Sequence, residues 1–373
     1  MEFLQANPSQ EADILDFINY VFSNAHVPHD FKKLLPFVYG KEGFYKLHSV
    51  ALENGKIKGV IAMLPFLMRV GGESLKAGFI GSVSVHPYER GRGIMKGLME
   101  CAHSAAEKQQ LDLVFLSGRR HRYKYFGYER IGAHFNFTLN GDSLRHALKS
   151  EDISNCSLVP FDKASKDEIS KAYGIYLQKQ LVCAERTFKE FTAKASSWNN
   201  SGFVFIKDGK VQGYFIKTPK NSVEELCVNE ESIRLCLKSI CAHFGNVQII
   251  CPAWNKALFS EAEKASEGYQ MFSRNMVRIY NWENVLNAAI KLSFKQRALK
   301  NQRAVFSIEN AGTFCIEAKD AKAYKTNEKA SIAFTQEEAA SLFFSPISLF
   351  SGQCSAFYNW LPMHLELTPA DGF

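Results

Sequence analysis

The residues most able to do chemistry lie together in His86-Pro87-Tyr88-Glu89-Arg90-Gly91-Arg92-Gly93. Its two glycines permit backbone conformations closed to other residues, so consecutive amide N–H groups can converge on one point. Arg90 and Arg92 add full positive charge. Directly after them, Ile94, Leu98, Ala102 and Ala105, with Met95, Met99 and Ala106 beside them, recur at the spacing of one helical face. The point of convergence therefore lies at a helix N-terminus, where unpaired N–H groups and the helix dipole favour an anion. The stretch reads as a phosphate cradle; an ordinary charged turn is the plain alternative.

The elements that must hold this loop can be read on either side of it. Phe79 to Val85 alternates apolar and small residues with a β-branched bias, which predicts a half-buried strand leading in. Asp112 to Leu116 is a short apolar run suited to a buried strand beside it. Upstream, Glu11 to Phe22 has the periodicity of a helix, and strands are predicted at Tyr45 to Leu52, Ile57 to Phe66 and Leu67 to Val70. The Asn54-Gly55 pair between the first two is a hairpin signal, because both central positions of the favoured turn need positive φ. Helix, meander, strand, loop, helix and strand in that order make an α/β fold.

Part of this pattern recurs. Phe203 to Ile206, Asp208-Gly209-Lys210 and Val211 to Ile216 repeat the earlier hairpin at a constant offset, Gly209 standing for Gly55 and Gly213 for Gly59. A strand at Val223 to Val228, a helix at Glu231 to His243 and a strand at Val247 to Cys251 follow in the same order. The loop between them, Asn229-Glu230-Glu231-Ser232, has neither glycine nor arginine, and its carboxylates would repel phosphate. From Trp282 the texture changes to a small α+β unit, with helices at Val285 to Phe294 and Gln336 to Phe344 flanking strand-like runs at Ala304 to Ile308, Thr313 to Glu317 and Ala330 to Phe334. The expected division is 1–147, 148–281 and 282–373, without low-complexity linkers.

Composition narrows the function classes. A chain of 373 residues with 46% hydrophobic and 22% charged residues is a folded globular protein of two or three domains. The net charge of +7 suits an anionic cofactor and falls short of what nucleic-acid binding demands. Nine cysteines, with no CxxC pair and no histidines at metal-ligand spacing, argue against a disulfide framework and a metal site and for a reducing compartment. With no signal-peptide pattern and no apolar run of membrane-spanning length, the expected location is cytoplasmic, away from membranes.

A V-x-V strand followed by R-x-x-G-x-G/A opening a helix, here Val83-Ser84-Val85 and Arg90-Gly91-Arg92-Gly93-Ile94-Met95, resembles the acetyl-CoA site of the GNAT superfamily of N-acetyltransferases. Met95 departs from the general pattern, which has a small residue there. A large apolar residue at that place is similar to the enhanced-intracellular-survival (Eis-type) branch. That branch has two tandem GNAT-like domains with mixed central sheets, the second without cofactor, and a C-terminal sterol-carrier-protein-like α+β domain. The internal repeat and the change near Trp282 fit it.

The resemblance implies an acyltransferase moving an acetyl group from acetyl-CoA directly to a primary amine, either of a small molecule, aminoglycoside-like ones included, or of an exposed protein lysine. It implies cofactor contacts from Val83, Val85, Arg90, Gly91, Arg92, Gly93 and Ile94, and no metal. In the family a tyrosine four residues before a glycine sits near the cofactor sulfur, a place held here by Tyr123 before Gly127. Such a phenol can protonate the leaving thiolate. By the same resemblance the α-carboxylate of Phe373 would accept the amine's proton, and the backbone N–H of Val85 would stabilise the oxyanion. Related enzymes include hexamers, so a homo-oligomer is implied. Packing for Tyr123 and a solvated end for Phe373 are the plain alternatives. The basic run Arg119-Arg120-His121-Arg122 fits cofactor phosphates, an acidic substrate or a solvated loop; His86 reads as structural, and His26 and His29 as surface loop or substrate contact. An acetyl-CoA-binding regulator without transfer is the rival class.

Overall fold

The structure, a computed structural model, describes residues 1–348, 357 and 359–372. Its first stretch runs β1 (Glu2–Gln5), α1 (Glu11–Ala25), the short helices α2 (Phe31–Leu34) and α3 (Pro36–Tyr39), β2 (His48–Glu53), β3 (Lys56–Val70), β4 (Glu73–Val85), α4 (Ile94–Lys108), β5 (Leu113–Leu116), α5 (Arg120–Tyr123) and β6 (Glu129–Ile131). Asn54 and Gly55 turn β2 into β3 with φ of 51° and 73°, the pair of positive values that the hairpin reading requires. Two strands were expected between Ile57 and Val70; one unbroken strand passes through Pro65 instead. β1 was not foreseen, because three of its four residues are exposed and give no alternating pattern. Helix α4 buries Ile94, Leu98, Met99, Ala102 and Ala106 against the sheet, and burying each of the larger ones is worth about 1.5–3 kcal/mol. It sits so close to β3 that a Cβ on Gly59 would lie 2.8 Å from Ile94 and 2.9 Å from Leu98.

The second stretch runs β7 (His134–Leu139), α6 (Gly141–Arg145), β8 (Cys156–Pro160), α7 (Lys166–Lys179), β9 (Val182–Ala184), α8 (Phe188–Ala195), β10 (Ser201–Lys207), β11 (Lys210–Lys217), β12 (Ser222–Val228), α9 (Ile233–Phe244), β13 (Val247–Pro252), α10 (Lys256–Ala265) and β14 (Tyr269–Phe272). These build a seven-stranded sheet in the order β14-β7-β13-β12-β11-β10-β8. Its β10–β11 turn again has both φ values positive, 48° at Asp208 and 70° at Gly209. In both copies the third meander strand pairs parallel with the strand after the helix, β4 with β5 and β12 with β13. The repeat legible in the residues is thus a repeat of architecture.

The chain then returns to the first sheet. β15 (Asn275–Ile279) pairs with β5 on one side and β6 on the other, and the first sheet follows the path β1-β2-β3-β4-β5-β15-β6. After it come α11 (Trp282–Gln296), β16 (Arg303–Ile308), β17 (Gly312–Glu317), β18 (Lys322–Lys325), β19 (Ile332–Phe334) and α12 (Gln336–Phe344), with a third sheet ordered β18-β17-β16-β19. Two strands therefore depart from the expected division. Residues 134–139, placed before the 147/148 boundary, belong to the second sheet, and residues 275–279, placed before the 281/282 boundary, to the first. By contacts, Met1–Ile131 groups with Asn275–Leu365, and Gly132–Arg274 with Glu366–Asp371. The mixed α/β class holds in all three sheets. Among the described residues every cysteine is free, no cluster of side chains could hold a metal ion, and no helix is long and apolar enough to cross a membrane.

Candidate active site

A slot opens where β4 outruns β5. Their parallel pairing covers only Ala77 to Ile80 against Leu113 to Leu116, yet β4 continues to Val85 while the other chain turns off through Ser117 and Gly118 into α5. A β-bulge bends β4 at that point. Val60 pairs with Ser84 and Ala62 with Gly81, so Ser82 and Val83 together face Ile61. Ser82, rather than the neighbouring Gly81, takes the positive φ there, 50°.

Ser82 is held there by a buried relay. Its hydroxyl lies 2.6 Å from the Tyr39 hydroxyl, which lies 3.1 Å from His48 Nε2, and His48 Nδ1 lies 2.8 Å from the Phe44 carbonyl. A carbonyl only accepts, so Nδ1 carries the proton; Nε2 then accepts from Tyr39, whose oxygen accepts from Ser82. Burial pushes the Tyr39 phenol up and lowers the His48 imidazole to about 4, the Phe44 carbonyl opposing the latter, so both stay neutral. Sequence reading missed Tyr39, His48 and Ser82. A polar residue in each otherwise apolar segment was the only signal.

Val85 closes the slot. His86 N–H donates to the Lys58 carbonyl at 3.0 Å, and Gly59 pairs with Val85. Hydrogen-bonded and non-hydrogen-bonded pairs alternate in an antiparallel ladder, so Val85 N–H faces away from β3, toward the side where β5 has ended. Val83 and Val85 pack half-buried against the core that includes Ile94, Leu98 and Met99.

The cradle follows. Gly91 and Gly93 have φ of 84° and 76°, and a Cβ on either would meet nothing within 4 Å, so the loop is strained for other residues and open in front. Gly93 caps α4 without a side-chain hydrogen bond, and among the described residues the N–H groups from Gly91 to Lys96 meet no acceptor, the first helical bond being Gly97 N–H to Gly93 O. The two arginines part company. Arg92 is engaged by Glu53 at 2.7 and 3.0 Å and by Glu89, which also binds Lys58 at 2.6 Å. Its guanidinium braces the loop. Arg90 is exposed and makes no ion pair among the described residues, leaving it as the loop's available cation.

Tyr123 ends α5, packed in the same core as Ile94, Leu116 and Tyr128 and only 6% exposed. Its ring lies over Gly118, where a Cβ would come within 2.5 Å of it. Burial raises the phenol above its usual value, against the lowering effect of Arg122, and so keeps it protonated. His86 stacks on Tyr20 at 5.7 Å, and His29 packs among His26, Phe22 and Phe31. Phe373, expected to supply a carboxylate, lies outside the described residues.

The second sheet has the same splay without the cradle. β12 bulges at Glu224 and pairs with β13 only at Ser222 and Val223. Asn229 to Ser232 form a 3-10 turn with no positive φ, and Asn229 N–H and side chain are tied to Gln212. Against β12 and α8 sits the segment Glu366–Asp371 of the same unit. Arg186 meets Glu225 through two bonds of 2.8 and 2.7 Å and Asp371 at 2.9 Å, Lys194 lies 3.3 Å from Asp371, and Thr368 donates to Glu225 at 2.7 Å. All four charged groups are buried. Burial alone would raise the Asp371 carboxyl, but Arg186 and Lys194 hold it below its usual range. The second unit has filled the neighbourhood of its splay from its own chain.

Residues 2–131 match the family model for the acetyltransferase (GNAT) domain. No curated protein matches the sequence. Solved structures do match over the whole chain: a protein of unknown function from Enterococcus faecalis V583, described as a probable N-acyltransferase (TM-score 0.73, 16% identity, 100% of this chain and 99% of that one), and a GCN5-related N-acetyltransferase from Anabaena variabilis ATCC 29413 (TM-score 0.69, 16% identity, all of both chains). Strand, glycine cradle and helix within residues 2–131 are accordingly those of a GNAT acetyltransferase domain. The fold of the whole chain is also similar to that of Eis1 from Mycobacterium abscessus, across all of both chains (TM-score 0.66, 13% identity).

Proposed function

We propose that the chain transfers an acetyl group from acetyl-CoA directly to a primary amine, in a ternary complex and with no covalent enzyme intermediate. The observation that carries this reading is the slot between β4 and β5 ending at an open cradle of unpaired N–H groups. Those groups and Arg90 fit phosphate, and Val83, Gly91, Gly93 and Ile94 leave room or apolar lining for the cofactor; Arg92 shapes the loop. Bound there, acetyl-CoA supplies an acetyl group activated as a thioester.

The remaining work falls to this chain. Val85 N–H, turned toward the slot, donates to the carbonyl oxygen as it gains charge, a contribution of about 3 kcal/mol for one preorganised donor. Tyr123 stays protonated and gives its proton to the leaving thiolate. The proton that the attacking amine must lose passes to a general base. The similar Enterococcus and Anabaena proteins, a probable N-acyltransferase and an N-acetyltransferase, agree with an amine acceptor. Thiol release from acetyl-CoA, measured with and without a panel of primary amines, tests the reading. Amine-dependent release with an N-acetylated product is expected; a protein that binds acetyl-CoA yet releases no thiol with any amine is a binding protein instead.

A further inference from the structure

A second surface feature adjoins Tyr123. Arg119, Arg120, His121 and Arg122, with Arg130 from the neighbouring strand, line an open depression of about 830 Å³, and no acidic side chain lines it. Arg120 is committed to Glu129 through two bonds of 2.7 and 2.6 Å, and Glu129 also accepts from the Arg130 backbone at 2.8 Å. Arg119, Arg122 and Arg130 are exposed and make no ion pair among the described residues. Three guanidiniums thus line one depression without a counter-ion among the described residues. Mutual repulsion opposes that grouping, and an anion relieves it.

The depression begins at the residue beside Tyr123, whose phenol feels the Arg122 cation. The cradle, by contrast, already offers unpaired amides and Arg90 for cofactor phosphates. An acceptor bound in this depression lies against arginine side chains, with no carboxylate in its lining. We infer that this pocket selects acceptors, favouring small primary amines that carry a carboxylate or phosphate over neutral amines and polycations. The guanidinium fork binds either anion through paired N–H bonds, so both sources share one chemistry. A polycationic amine of the aminoglycoside kind is repelled there.

The inference rests on the transfer reading above. In the reaction the amine nitrogen bonds to the acetyl carbon, the carbon–sulfur bond breaks, Tyr123 protonates the thiolate, and the proton lost by nitrogen goes to the base. Matched probes test it: propylamine against 3-aminopropylphosphonate, butylamine against 4-aminobutyrate, and spermidine as the polycation. The expected kcat/KM is about tenfold or more higher for each anionic member, a preference that shrinks as salt screens the exposed arginines. In the Arg119→Ala/Arg130→Ala variant that preference should fall about tenfold, through KM for the amine, while KM for acetyl-CoA changes less than twofold. Equal rates for neutral and anionic members, or spermidine preferred, overturn the inference and leave transfer standing. A variant that instead raises KM for acetyl-CoA assigns the pocket to the cofactor and overturns it too. If no amine is acetylated, the transfer reading fails and this one with it.

Discussion

Tyr123 shows how much one residue depends on its surroundings. Buried over Gly118, its phenol keeps its proton, so the side chain can pack in the core and can also serve as an acid. Tyr123→Phe keeps the ring in place and removes the proton, so turnover should fall about 10²–10⁴-fold with little change in acetyl-CoA affinity, measured by steady-state kinetics and direct titration. Unchanged turnover would remove Tyr123 from the chemistry. His48 supports a pH prediction. Its imidazole, lowered by burial from 6.5 to about 4, stays neutral in the fold while the unfolded chain takes up a proton. Stability therefore falls as pH drops from about 6.5 to about 4, by up to about 3 kcal/mol from this group. Urea unfolding at several pH values should show His48→Gln with a shallower acid slope; an unaltered slope would place the sensitivity elsewhere.

At the scale of elements, the bulge in β4 is what makes a slot out of a sheet. Alternation in Phe79 to Val85 was enough to read a strand and its direction into the loop. It could not locate the bulge, because a bulge is a mismatch with Ile61 on another strand, stabilised by Tyr39 and His48 from elements further back. Tyr39→Phe strips a partner from both Ser82 and His48 in a buried site and should cost about 1–3 kcal/mol in denaturant titrations. A variant as stable as the parent would mean that the relay does not brace the bulge. The cradle was legible for the opposite reason: its glycines and the helix after it are neighbours in sequence, and their φ values follow from residue type. Even there, the different fates of Arg90 and Arg92 depended on Glu53, which is distant in sequence.

At the scale of the molecule, the second unit was read as a scaffold that lost its ligand loop. Its structure adds that Asp371, far along the chain, is locked beside β12 by Arg186, Lys194 and the Ala184 N–H. Two cations and two carboxylates balance in that cluster, so removing one member leaves buried charge uncompensated. Asp371→Ala should cost about 3–5 kcal/mol, read as a lower unfolding midpoint of the full chain. A midpoint within error of the parent would show that solvent reaches the cluster.

The sequence by itself determined what depends on near neighbours: the strand, cradle and helix, the paired positive-φ hairpins, the repeat and the absence of a cradle from its second copy. These follow from backbone sterics and helix or strand periodicity within a few residues. The tertiary structure decided what depends on residues brought together from afar. It exchanged strands between the two sheets, set Ser82 rather than Gly81 in the bulge, diverted Arg92 to two carboxylates, and buried Asp371 among partners nearly two hundred positions away. Such choices belong to pairing and charge compensation across the fold, which no local pattern encodes.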